Sequence, residues 1–150
     1  MNLTLYYRGR LKSNGGAKEK HRLREEFHPQ LKALWSQEPL SHFTSFYDNS
    51  GPEYSIARQI GRFTFVPLVC KAFFLVARIH VTLLRAEPPG SIVMQGGDID
   101  NRLKTLLDSL KIPSEPDALP PDAANGSAEP AFVRAQALAN GRLSLYTPRR

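Results

Sequence analysis

The sequence predicts a small single domain of the α/β (α+β) class, with a mixed β-sheet flanked by helices. Two segments alternate apolar and polar residues with the period of a strand, and two others repeat apolar residues at helical spacing. The third observation is size: 150 residues with 41% hydrophobic content supply one core without disulfides to staple it.

The first strand is read from Leu3 to Tyr7, a short period-two run that ends where Ser13-Asn14-Gly15-Gly16 supplies turn chemistry. From Ala17, Leu23, Phe27, Leu31, Leu34 and Trp35 recur at helical spacing among Lys18, Lys20, Arg22, Arg24 and Lys32, which predicts an amphipathic basic helix. Pro29 lacks a backbone donor and crowds the preceding turn, so a kink or a break into two helices is expected there. Residues Ser36 to Pro52 have no period and read as an irregular connection with room for one short helix. Phe73 to Leu84 is the clearest strand: Leu75, Ala77, Ile79, Val81 and Leu83 point one way, and Arg78, His80 and Thr82 the other. Phe63 to Val69 reads as its partner strand, with Pro67 favouring an edge or a bulge.

Residues near Asp100 to Lys111 predict a second helix, with Leu103, Leu106, Leu107 and Leu110 on its packed face, stopping at Pro113. Pro113 to Pro130 holds five prolines among Asp, Ala, Asn, Gly and Ser, the composition of a surface loop without apolar burial. Asn140-Gly141 gives a hairpin signal near the end. The expected domain is therefore residues 1–112 with 131–147, interrupted by the Pro-rich surface loop 113–130.

Net charge is +6, and its distribution is uneven: residues 1–111 carry 16 Lys and Arg against 10 Asp and Glu, whereas 112–150 carry four of each. A polyanionic partner is favoured, with its contacts in the first three quarters of the chain, although a basic surface also serves solubility alone. No stretch reaches the roughly 18 apolar residues that cross a bilayer, and no signal-like N-terminus is present, so the expectation is a cytoplasmic protein with no membrane partner. Cys70, the single cysteine, lies in an apolar run and reads as a buried, inert thiol. His21, His28, His42 and His80 show no metal-ligand spacing, and Gly15-Gly16 and Gly96-Gly97 lack the surroundings of a nucleotide loop.

Chemistry concentrates at Gly97-Asp98-Ile99-Asp100-Asn101-Arg102-Leu103-Lys104. Two carboxylates, Asp98 and Asp100, at the entrance to a helix can converge on one hard cation, and Mg²⁺ is held by one or two carboxylates while keeping several waters. Such an ion would also relieve the repulsion between two acids and the phosphates of a nucleic acid. Lys104, one turn after Asp100, can hold a phosphate oxygen or stabilise developing charge. Two plainer readings stand beside this one: Asp98 or Asp100 as a helix N-cap, and Asp100, Lys104 and Asp108 as an exposed salt-bridge ladder.

The run from Gly97 to Leu110 resembles the signature segment of the RusA family of Holliday-junction resolvases: Asp-x-Asp-Asn, Lys three residues later, Asp four after that, then a small residue and Leu. A looser likeness in the order of strands and basic segment extends it over about the first 110 residues. The resemblance implies a RusA-like α/β fold, a homodimer, and Mg²⁺-dependent (or Mn²⁺-dependent) endonuclease cleavage of four-way DNA junctions in recombination and repair. Under it, Asp98 and Asp100 correspond to metal-binding catalytic aspartates and Lys104 to a functionally important lysine. Asn101 and Asp108 are supporting motif positions, the latter with a possible structural role.

The chain departs from that pattern after the helix. Members follow it with a hydrophobic strand ending in an acidic pair that completes the metal site, whereas the equivalent stretch here, Ala131 to Ala137, has no acid. Asp117 and Asp122 fall in the proline-rich loop and make poor substitutes, because ligands need a fixed backbone, and Glu129 is a further candidate. Three functions follow: a junction endonuclease, a branched-DNA binder impaired in cleavage, or a basic structural or interaction protein without a metal site.

Overall fold

A computed structural model describes residues 1–46, 56–70, 74, 76–86, 88, 99–124 and 133–138. Strand β1 (Asn2–Arg8) is followed by helix α1 (Ala17–Ala33) and two 3₁₀ turns, Leu34–Ser36 and Leu40–Phe46. Strands β2 (Arg58–Ile60), β3 (Phe63–Val69) and β4 (Arg78–Leu84) come next, then helix α2 (Ile99–Ser109), a 3₁₀ turn at Pro116–Ala118, the short helix α3 (Pro121–Ala124) and β5 (Val133–Leu138). The small α+β fold expected from the sequence is present, with its mixed sheet in three strands and a separate parallel pair.

In the pair, β1 lies parallel to β4, with Leu3 beside Ile79, Leu5 beside Val81 and Tyr7 beside Leu83. Alternation places these six on the core side, as the period-two reading of both segments requires. The strand partner is a correction. Phe63 to Val69 was expected to pair with β4, but β3 joins β2 antiparallel and β5 parallel. Its residues are buried on both faces, so it is a central strand and not an edge. Pro67 is tolerated because β2 pairs only as far as Phe65, leaving β5 as its one strand neighbour at that level among the described residues. The turn from β2 to β3 is just Gly61-Arg62, and Gly61 takes φ 58°, a left-handed conformation that favours glycine.

Helix α1 runs through Pro29 as one helix, so of the expected kink or break the break does not occur. Pro29 is on the exposed side of the helix, where its missing backbone donor costs least. The opposite side buries Leu23, Phe27 and Leu31 against Leu3, Leu5 and Tyr7 of β1, Val66 and Leu68 of β3, Leu106 of α2 and Leu110 just past its end. Further along α1, Gln30 reaches the edge of β1 turned away from β4. Its side-chain oxygen accepts from the Tyr6 amide at 2.8 Å and its nitrogen donates to the Tyr6 carbonyl at 2.8 Å.

The Pro-rich segment is not wholly superficial. Leu119 is buried with Ile112, Ile60, Phe63 and Phe65 in a second cluster, so this loop contributes an apolar anchor that its composition hid. Cys70 is free and partly exposed, packed at the margin of the main core, which corrects the expectation of a buried thiol. The expected strand Phe73 to Leu84 begins only at Arg78; its residues 73 and 75, and the hairpin at Asn140-Gly141, lie outside the described residues.

Candidate functional site

Helix α2 carries the acidic motif, and its orientation differs from the leucine wheel. Its buried residues are Arg102, Thr105, Leu106 and Ser109, continued by Leu110 just past its end, whereas Leu103 is exposed and Leu107 only partly covered. At 100° per residue the packed stripe is turned by about 80° from the centre of the four leucines. The turn is possible because Thr105 and Ser109 are small and satisfy their hydroxyls locally: Thr105 Oγ1 donates to the Asn101 carbonyl at 2.9 Å and Ser109 Oγ to the Leu106 carbonyl at 2.6 Å. The consequence is functional geometry. Asp100 and Lys104 now lie opposite the packed stripe, and both are exposed.

Three contacts hold α2 in this orientation. The Gly15 amide, in the loop before α1, donates to Thr105 Oγ1 at 3.0 Å. Lys20 of α1 pairs with Asp108 at 2.9 Å, and Arg24 donates to the Asp108 carbonyl at 3.2 Å. That carbonyl is among the last of the helix, where a cation complements both the unpaired oxygens and the dipole. Gly15 is required sterically, since a Cβ there would stand 2.6 Å from Thr105 Cγ2. Gly15→Ala is therefore expected to cost about 1–3 kcal/mol in urea denaturation. Adding Thr105→Ser should restore part of that loss, because it removes the methyl and keeps the acceptor, while the Glu19 side chain, whose Cγ would stand 2.9 Å from the same Cβ, must still shift. A double variant no more stable than the single one would show that the contact is not the source.

Asp108 belongs to this scaffold. Two helical turns separate it from Asp100, about 12 Å along the axis, too far to share an ion. Its ion pairs go to Lys20 and to Lys111 at 3.6 Å, across to α1 and down the chain, instead of extending a ladder from Lys104. Burial pushes its carboxyl up, but the Lys20 hydrogen bond and the charges of Lys20, Lys111 and Lys104 outweigh it and hold it below the ordinary value of 3.8. Glu19, bonded to Arg22 at 2.7 Å, is likewise held below 4.5, chiefly by that bond and against its own burial. A carboxylate depressed in the folded state contributes stability above its unfolded value and loses it as pH falls through the folded one. Asp108→Asn is thus expected to cost about 1–2 kcal/mol at neutral pH and to flatten the loss of stability below about pH 4. An unchanged acid limb in pH-dependent urea midpoints would count against the pair.

Asp98 lies outside the described residues, so its approach to Asp100 is not described. Asp100 sits in the first turn of α2, inside the helix and not at its N-cap, where a negative charge is favourable. Asn101 is partly buried on the flank between this exposed face and the packed one. Asp117 and Asp122 are exposed, in the 3₁₀ turn and at the start of α3, and Glu129 is outside the described residues. Among the described residues, no three His, Cys, Asp or Glu side chains gather as a metal site. His21 packs its ring 5.3 Å from Phe63, and His42 pairs with Glu38 at 2.8 Å.

The donor chemistry at the head of α2 suits a hard cation that retains most of its waters, since Asp100 offers exposed carboxylate oxygen and no thiol or imidazole stands in the motif. The residues that sequence reading missed are Gly15, Lys20, Arg24 and Thr105, which orient the helix without joining the motif. Only the spacing of Arg102, Thr105, Leu106 and Ser109, read as a stripe despite its polar members, would have pointed to them. Comparison of the chain with family models, curated proteins and solved structures finds no match. No helix among the described residues is long and apolar enough to cross a membrane.

Proposed function

We propose that this protein is a metal-dependent, structure-selective DNA endonuclease acting on four-way junctions, in line with its resemblance to the RusA family. The observation that carries the reading is the exposure of Asp100 and Lys104 on one side of α2, opposite the stripe that anchors the helix. The net charge of +6 supplies the attraction to a phosphate backbone.

In this mechanism Asp98 and Asp100 would hold the ion, and Lys104, about one turn from Asp100, would neutralise charge that develops on the phosphate. Asn101 supports the entrance of the helix, and Asp108 keeps the helix in place through Lys20. What Mg²⁺ or Mn²⁺ supplies when bound is polarisation of a phosphodiester and a more acidic water. A homodimer would present two such sites to the two symmetric strands of a junction, and function inside the cell follows from the same reading.

A second reading, a branched-DNA binder that cleaves weakly, is favoured by β5. The strand following the helix, Val133-Arg134-Ala135-Gln136-Ala137-Leu138, contains no carboxylate. Placement by fewer protein ligands is looser, and an error of about 1 Å can lose about a hundredfold in rate.

The test is cleavage of a labelled four-way junction and of a linear duplex of the same sequence as Mg²⁺ or Mn²⁺ is raised, with binding followed at low and moderate salt. The expected result is junction binding that weakens steeply with salt, and junction cleavage that needs high metal. Affinity that stays flat with salt, or no preference for the junction, would leave only a basic structural or interaction protein. Robust cleavage at low Mg²⁺ would mean that another residue completes the site, with Glu129 or Asp122 the first to replace.

A further inference from the structure

The β1/β4 pair has one face in the core and one in solvent. On the solvent face Thr4 lies beside His80 and Tyr6 beside Thr82, with Arg78 at one end of the pair and Arg8 at the other. Tyr6 leaves 57% of its surface exposed, and His80, Arg8 and Arg78 are also exposed. No position of either strand on this face carries a carboxylate, and no salt bridge among the described residues engages Arg8 or Arg78.

We propose that this face binds single-stranded DNA. Exposed aromatic rings on a basic surface stack bases in a sequence-tolerant way, because every base has a π-face, while the cations follow the backbone. Tyr6 and His80 stand diagonally on adjacent strands, about 8 Å apart from strand spacing and rise, close enough to take neighbouring bases. The arginines, about 20 Å apart along the strands, bracket them. A paired duplex keeps its base faces stacked and gives Tyr6 nothing to cover. A second copy docked face to face would set arginines of one chain against arginines of the other. The inference rests on the proposed nuclease reading only in choosing DNA over RNA.

The test is fluorescence anisotropy of a labelled oligo-dT strand with the full chain in EDTA, so that its outcome is independent of metal-dependent cleavage. Tyr6→Ala is expected to weaken binding about tenfold, the loss of one stacked base, and Tyr6→Trp to retain or tighten it. Arg8→Gln and Arg78→Gln should each reduce the slope of log affinity against log salt by about 0.7. Gln30 bonds to the backbone of Tyr6, so these variants keep that contact, and an unchanged urea midpoint would verify their folding. Unchanged affinity and salt slope in all three loss variants would overturn the proposal. So would equal binding of a duplex through the same residues, tighter binding of oligo-rU, or a dimer of the chain that Tyr6→Ala dissociates in sedimentation.

Discussion

Asp100→Asn is expected to abolish Mg²⁺-dependent junction cleavage, with a loss of about a thousandfold, while junction binding stays the same or tightens. An ion contributes several kcal/mol to phosphodiester cleavage, and about 4 kcal/mol corresponds to that factor. The amide removes one negative charge that faces phosphate, so binding should not suffer. Folding should survive too: Asp100 is exposed in the first turn, where loss of its charge costs about 0.3–1 kcal/mol through the helix dipole. Asp98→Asn should behave alike if both acids hold the ion. Single-turnover cleavage beside anisotropy at the same salt checks both halves. A variant that still cuts, or one that unfolds, would remove Asp100 from the site.

Phe27→Ala is expected to cost about 3–5 kcal/mol, the usual range for emptying a buried aromatic site. Its side chain is completely buried, with its ring 6.1 Å from that of Tyr7, and it joins α1 to β1 within the cluster that also holds Leu106 and Leu110. Domains of this size are stable by about 5–15 kcal/mol, so the variant should be partly unfolded at moderate urea. A lowered midpoint with unchanged denaturant slope is the expected observation. A loss below about 1 kcal/mol would mean that α1 does not cross β1 through Phe27.

Periodicity made the faces of β1 and β4 legible but not their neighbours. Alternation states which residues are buried and says nothing about which strand lies alongside, and Leu3 meets Ile79 across a long stretch of chain. Proximity in sequence made β3 the natural partner of β4, yet both its sides are occupied by other strands. For α2, counting leucines located the helix and misjudged its roll, because Thr105 and Ser109 pack through their own backbone bonds. The acidic motif was readable as a string. What separates Asp100 from Asp108 was not, since Lys20 lies 88 residues before the aspartate that it pairs with. Leu119 was hidden by its prolines, whose composition describes the loop on average and not the one side chain that enters the core.

The amide of Gln30 does for β1 what another strand would do, offering one donor and one acceptor at the Tyr6 peptide. A sheet margin left open invites accretion by any extended chain, in the cell or in a test tube. Here a newcomer at that margin would have to dislodge a side chain already seated on a helix and bonded twice. The protein thereby caps its own sheet on that flank with a single residue, and self-assembly through this border is discouraged at the point where the ladder would otherwise continue.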